Sequence, residues 1–252
     1  MTTFAELGLA PDLLRALDEM GYVTPTPIQE QVIPLALHGG DILGAAQTGT
    51  GKTAAFALPL IQRLLPFANT STSPAKHPIR ALILTPTREL AIQVEEAIQA
   101  YTKHVPLRSL VVYGGVNINT QIPILKTGVE ILVATPGRLL DHVQNKTLML
   151  TQVNTLVLDE ADRMLDMGFM PDLKRIVALL PVQRVNMMFS ATFPEEIRKL
   201  ADSILNTPTF IEVARNETAV TVTQVVHPVH HERKRQLLAH LIKSRDLRQV
   251  LV

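Results

Sequence analysis

Cysteine and tryptophan are both absent from the 252 residues. Without thiols there is no disulfide framework and no thiolate metal site, and such a chain suits a reducing compartment. Aromatic residues are scarce, seven Phe and three Tyr, which leaves few platforms for stacking the bases of a single strand. An excess of charge of either sign is also lacking. Twenty-four basic residues against 23 acidic give a formal charge of +1, so affinity for any polyanion must come from local placement of Arg and Lys. No apolar run approaches the roughly 18 residues of a membrane span. Met1–Met20 carries Glu6, Asp12, Asp18 and Glu19 and has neither the basic start nor the apolar stretch of a signal peptide. These absences point to a cytoplasmic protein with no membrane partner. A hydrophobic content of 46% supports one sizeable core and part of a second.

What is present is an alternation. Short apolar runs at Asp41–Ala46, Ala81–Thr85, Ser109–Tyr113, Ile131–Thr135, Thr155–Asp159, Asn186–Ser190 and Phe210–Val213 are separated by segments with helical spacing. Leu90, Val94, Ala97, Ile98 and Tyr101 form one such set, and Leu173, Ile176, Val177 and Leu180 another. Strands of continuous apolarity are buried on both faces, the mark of a parallel sheet. The alternation therefore predicts an α/β fold, an open and mostly parallel sheet with helices on both faces. Residues 69–78 (NTSTSPAKHP) read as a mobile surface loop, and residues 214–231 as a linker. Beyond it, a helix is expected over Glu232–Arg245, followed by an apolar run at residues 249–252. His227, His230 and His231 lack an acidic or Cys ligand set at metal spacing and read as solvated linker residues.

The run Ala46, Gln47, Thr48, Gly49, Thr50, Gly51, Lys52 and Thr53 lies between a predicted strand and a helical stretch, Ala54–Leu65. In that setting loop N–H groups and a helix N-terminus cradle an anion. Lys52 would reach the β- and γ-phosphates of a nucleotide, and Thr53 would offer its hydroxyl to Mg²⁺. The first glycine of the usual pattern is replaced by Ala46. A dinucleotide-binding turn is the rival reading, but it needs an acidic residue about 20 positions onward. No Asp or Glu occurs between Asp41 and Glu89. Pro59, inside the following helix, should kink it.

A second strand, Thr155–Asp159, ends in the carboxylates Asp159, Glu160 and Asp162. Ligands bind at the C-terminal ends of parallel strands, so this tip and the phosphate loop should face one site. Asp159 would hold Mg²⁺, and Glu160 would position or deprotonate an attacking water. A helix dipole explains one acidic residue in a first turn, not three.

Asp159-Glu-Ala-Asp162 also spells the sequence after which the DEAD-box RNA helicases are called, and the chain resembles their first, RecA-like domain through its ordered motifs. Residues 21–29 (GYVTPTPIQ), within an N-terminal segment 1–30, look like the Q motif, with Phe4 as the isolated upstream aromatic. The resemblance implies that Gln29 reads the adenine edge and that Tyr22 packs on its ring. Residues 86–91 (PTRELA), Gly114-Gly115, Thr135-Pro-Gly-Arg138 and Ser190-Ala-Thr192 resemble motifs Ia, GG, Ib and III. They imply RNA contacts from Thr87, Arg88, Gly114, Gly115, Thr135, Pro136, Gly137 and Arg138, and a coupling role for Asp162, Ser190 and Thr192. Hydroxyls, glycine N–H groups and helix N-termini suit phosphates rather than bases. Residues 162–169 (DRMLDMGF) look closest to the bacterial RhlE-like subgroup.

The expected organisation is a RecA-like domain at 1–213, a linker at 214–231, and at 232–252 the start of a truncated second RecA-like domain. The implied ligands are ATP, Mg²⁺ and RNA, with a monomeric state and a second domain as partner in catalysis. A nucleotide-dependent RNA-binding module without helicase activity and a DNA-directed P-loop motor are the alternatives.

Overall fold

The computed structural model describes residues 2–47, 49–212, 225–248 and 250. The chain divides into two compact units, Met1–Arg215 and Asn216–Val252.

In the first unit the strands are β1 (Ile42–Ala45), β2 (Ala81–Leu84), β3 (Ser109–Val112), β4 (Ile131–Ala134), β5 (Thr155–Leu158), β6 (Val185–Ser190) and β7 (Thr209–Glu212). They form one seven-stranded sheet in the order β3-β4-β2-β5-β6-β1-β7, with every pairing parallel. The helices are α1 (Pro11–Glu19), α2 (Pro27–Leu37), α3 (Lys52–Leu64), α4 (Arg88–Tyr101), α5 (Ile122–Leu125), α6 (Pro136–Gln144), α7 (Ala161–Asp166), α8 (Met170–Ala178) and α9 (Glu195–Ile204). Successive side chains of a strand point to opposite faces, and both faces here are covered. Ala81, Ile83, Ile131, Val133 and Val157 pack with the apolar faces of α1 to α4. Leu82, Leu84, Leu132, Leu156 and Leu158 pack with α6 to α9. This double burial explains why the strands read as unbroken apolar runs rather than alternating ones.

The predicted strands all occur, and α3 runs through Pro59 from Lys52 to Leu64 without a break in assignment. Residues 69–78 differ in kind from a loose loop. Leu65–Phe67 and Pro74–Lys76 form short 3₁₀ turns, and the buried His77 ring bridges Glu130 Oε1 at 2.5 Å and Ser71 O at 2.7 Å. Arg108 donates to the same Ser71 carbonyl at 2.7 Å. Composition suggested a free loop, but two distant side chains, supplied at the feet of β3 and β4, pin it.

The N-terminal segment is fastened in a similar way. Tyr22 and Tyr101 hydroxyls meet at 3.1 Å, and Lys103 and His104 on the turn after α4 reach Glu19 at 2.8 and 3.0 Å. Those two donors, Lys103 first, hold the Glu19 carboxyl down at about 2. α2 packs beside α3, and Gln29 in its first turn is bonded to Gly51, the residue before α3.

In the second unit, Val225–His230 has no regular structure and α10 spans Lys234–Ser244. Its start and end fall within a residue or two of the expected helix. Residues 213–224, which cover most of the predicted linker and the last residue of the predicted seventh strand, lie outside the described residues. So does most of the apolar run expected at residues 249–252.

Candidate nucleotide and strand site

Because all strands are parallel, their C-terminal ends share one rim. β6 alone separates β1 from β5, so the loop after β1 and the acidic tip of β5 stand close across one strand.

The loop after β1 is drawn tight at both ends. Ala46 N–H donates to Ser190 O at 3.1 Å, and Thr50 Oγ1 donates to Gln47 O at 2.8 Å. Gly51, which leads into α3, has φ +91°, a conformation that costs an L-residue about 1–2 kcal/mol. It also faces α2 closely, since a Cβ there would stand 2.5 Å from Gln29 Nε2. Gln29 is buried; its Oε1 accepts from Thr26 N–H at 2.9 Å and its Nε2 donates to Gly51 O at 3.0 Å. The Q-motif glutamine is therefore bonded to the loop backbone itself. Thr48 lies outside the described residues, and Gly49, Thr50 and Thr53 are exposed or half-buried around the turn.

Lys52 Nζ stands 3.2 Å from Asp159 Oδ1, with both side chains almost wholly buried. This oxygen has charge beside it but no aligned hydrogen-bond donor. Burial raises the Asp159 carboxyl, while Lys52 pulls it back. A buried carboxylate oxygen beside such a loop is a hard ligand of the kind that could hold Mg²⁺, and the Thr53 hydroxyl could serve as a second oxygen. Glu160 occupies the left-handed region at φ +56°, unusual for a non-glycine residue, and such strain concentrates at functional sites. Its carboxylate lies 3.6 Å from Arg163. Glu160 and Arg163 line two depressions. One, of about 310 Å³, includes Lys52, Asp162 and Ala191; the other, of about 280 Å³, includes Thr87, Glu89 and Gln93.

Asp162 ties the tip of β5 to that of β6. Its Oδ2 accepts from Thr192 N–H and Thr192 Oγ1, each at 2.9 Å, and its N–H donates to Ser190 Oγ at 3.2 Å. Ser190 Oγ in turn donates to Thr192 O at 2.7 Å. The three residues expected to couple do form one hydrogen-bonded unit.

Further along the rim, the loops after β2, β3 and β4 touch one another. Thr87 caps α4 by accepting from Leu90 N–H. The exposed Arg88 guanidinium lies 4.7 Å over the Tyr113 ring, a cation–π contact. Gly114 N–H donates to Thr135 Oγ1 at 3.4 Å. Gly114 and Gly115 are exposed, Gly137 is half-buried and Pro136 is buried at the start of α6. Arg138 differs from the expectation of a rim cation. It is only 8% exposed, and its guanidinium is spent on protein oxygens.

Phe4 and Tyr22 also face inward. Phe4 is buried, with its ring centroid 6.0 Å from that of Tyr22, and the Tyr22 hydroxyl is bonded to Tyr101. Sequence reasoning did not single out Tyr113, Gln121, His142 or Arg163 as site residues. Tyr113 could have been found, since it directly precedes the glycine pair. Gln121 and His142 carry no sequence signal, because they meet only when α6 packs beside the segment leading into α5.

The chain is 45% identical over 245 residues to "ATP-dependent RNA helicase CshA" of Listeria monocytogenes, covering 96% of this chain and 45% of that protein. It is 42% identical to "DEAD-box ATP-dependent RNA helicase CshA" of Geobacillus kaustophilus, covering 96% and 50%. With "ATP-dependent RNA helicase DeaD" of Haemophilus influenzae it shares 41%, covering 99% and 40%. The chain thus spans about half the length, or less, of these relatives. The DEAD/DEAH box helicase family matches residues 26–200, from the capping threonine of α2 into α9, and so takes in the glycine-rich loop after β1, the acidic tip of β5 and the loops after β2, β3 and β4 together. With that match running through most of the chain, and with a RecA-like parallel sheet carrying the motifs at its C-terminal edge, the chain belongs to the DEAD/DEAH box helicase family.

Proposed function

We propose that this chain is the nucleotide- and RNA-binding first domain of an ATP-dependent RNA helicase. The observation that carries the reading is the 3.2 Å approach of Lys52 to Asp159, which brings phosphate-binding and metal-binding chemistry to one point. The loop Ala46, Gln47, Thr48, Gly49, Thr50, Gly51 would wrap the phosphates through its N–H groups, and Lys52 would turn from Asp159 to the β- and γ-phosphates. Gln29 would exchange one of its present bonds for the adenine edge, with Tyr22 and Phe4 forming the apolar wall beside the base. Thr53 and Asp159 would hold Mg²⁺, which when bound neutralises charge developing on the phosphates. Glu160 would orient the attacking water and accept its proton.

The RNA backbone would lie along Thr87, Arg88, Gly114, Gly115, Thr135, Pro136 and Gly137, with Arg138 behind them and little base readout. The bond set of Asp162, Ser190 and Thr192 would report the state of the nucleotide to the rest of the enzyme. We assign residues 1–213 to this domain, 214–231 to a linker and 232–252 to the beginning of a second RecA-like domain. The reading includes a monomer in the cytoplasm. Among the described residues no helix is long and apolar enough to cross a membrane. The run Asp162–Phe169 supports placement near the RhlE-like subgroup, while the relatives reported above carry the names CshA and DeaD.

Arginines supplied from a second domain or partner stabilise the transferring phosphoryl group in related P-loop systems by about 10³–10⁵ in rate. The 252-residue chain should therefore bind Mg-ATP, hydrolyse it very slowly and fail to unwind a duplex. ATPase rates with and without single-stranded RNA, on this chain and on one extended beyond Val252, test the reading. RNA-stimulated turnover should appear only in the longer protein. Robust stimulated turnover by the short chain would remove the need for a second domain. A longer chain that binds RNA but stays inert would favour a binding module. Preference for matched DNA over RNA at one stated salt concentration would favour a DNA motor.

A further inference from the structure

Behind the Gly114–Gly115 turn lies a buried polar cluster that the nucleotide chemistry does not use. Arg138 Nη1 donates to Gln121 Oε1 at 3.0 Å, Nη2 to Val116 O at 2.7 Å, and Nε to Asp141 Oδ2 at 3.3 Å. Gln121 Nε2 donates to Tyr113 O at 3.2 Å, so its Oε1 is left to accept from Arg138 and from His142 Nε2 at 3.1 Å. His142 Nδ1 meets Thr147 Oγ1 at 2.8 Å. The carbonyls gripped, Tyr113 O and Val116 O, are those immediately before and after the glycine pair. Gln121, Arg138 and His142 are all under 9% exposed, His142 fully buried. A guanidinium that is 8% exposed and whose donors are taken by three protein oxygens, two of them on Gln121 and Val116 beneath the turn, is poorly placed to meet a phosphate on the rim.

We infer that Gln121, Arg138 and His142 are positioning residues that set the Gly114–Gly115 turn for the strand, and that Arg138 acts through this turn rather than by contact with phosphate. The inference rests on the strand-binding reading above. A forked guanidinium bonds Gln121 and Val116 at once; an ammonium, a compact point charge, cannot reproduce that fork. With the turn released, two flexible glycines must be ordered by the strand itself, so affinity falls although no charge at the interface is lost.

The dependence of affinity on salt separates this from a direct contact. For single strands log K falls with log salt at about −0.7 per phosphate neutralised. The 252-residue chain is titrated with a fluorescein-labelled ten-nucleotide oligo(U) at several salt concentrations, with saturating Mg-ATP. Arg88→Gln, which removes an exposed cation, should weaken binding and reduce the slope by about 0.7. Gln121→Leu and Arg138→Lys should each weaken binding about tenfold, a loss of the size of one or two hydrogen bonds. Their slopes and their affinity for a fluorescent ATP analogue should match the unmodified chain. Arg138→Lys with full affinity, joined to an Arg138→Gln slope reduced by about 0.7, would establish a direct phosphate contact and overturn the inference. So would Gln121→Leu binding RNA normally. Equal loss of RNA and nucleotide affinity in all the variants would overturn it too, as general damage to the fold. Failure of the unmodified chain to bind oligo(U) would instead remove the strand-binding reading, and this inference with it.

Discussion

Two residues at the nucleotide loop are constrained from two directions at once. Lys52 and Asp159 neutralise each other in a nearly water-free position, and removing one partner of a buried pair leaves an uncompensated charge that costs about 3–5 kcal/mol. Lys52→Met and Asp159→Asn should therefore each lower the stability measured by urea unfolding, whereas the double variant should lose less than the sum. Strict additivity would mean that the pair does not hold in solution. Gly51 is fixed both by its positive φ and by the 2.5 Å approach of Gln29 to the position its Cβ would take. Gly51→Ala should cost about 1–2 kcal/mol in stability and displace Gln29. Competition binding should then show weaker discrimination of ATP from GTP, and unchanged discrimination would separate Gln29 from base selection.

At the scale of elements, α6 is the piece that joins the rim loops. Its His142 faces Arg138 and Asp141 from the same helix, Gln121 from the segment before α5, and Thr147 from the turn that follows. Burial, and then the Arg138 charge, push the His142 imidazole below its ordinary range, only partly offset by Asp141. The sign follows from the linkage relation. The unfolded chain takes up a proton near the ordinary imidazole value of about 6.5, while folded His142 resists it. This contribution is thus complete above that value and is lost as pH falls through the depressed folded value. Between about pH 7 and pH 5 the stability advantage of the unmodified chain over His142→Asn should shrink. A pH-independent difference in thermal unfolding would show that His142 is not titrating as part of the fold.

β1 shows a related constraint from packing. A Cβ at Gly44 would sit 2.5 Å from the Phe189 ring on the neighbouring β6. Overpacking of this kind typically costs about 1–3 kcal/mol. Gly44→Ala should lower the unfolding midpoint and shift the loop after β1, read as weaker nucleotide binding. An unchanged midpoint would mean that Phe189 can swing away.

For the whole molecule, the parallel sheet does the organising. Its order places the glycine-rich loop, the Ser190–Thr192 segment and the acidic tip at the ends of neighbouring strands β1, β6 and β5, and the loops proposed to meet RNA after β2, β4 and β3. The surfaces proposed for nucleotide and strand are therefore two halves of one edge, meeting at Glu160 and Arg163, which line depressions on both sides.

Strand identity, the parallel sheet, the glycine-rich turn between β1 and α3 and the acidic tip of β5 were legible in the sequence, because each rests on local chemistry. Continuous apolar runs mean two buried faces, and a glycine-rich turn between strand and helix means exposed N–H groups. The direction in which a side chain finally points was not legible. Arg138 reads as a rim cation from its motif, yet packing turned it inward onto Gln121 and Val116. Residues 69–78 read as a loose loop, yet Glu130 and Arg108, at the feet of β4 and β3, pinned them. Such outcomes depend on contacts between residues far apart in the chain, which only the folded arrangement brings within hydrogen-bond reach.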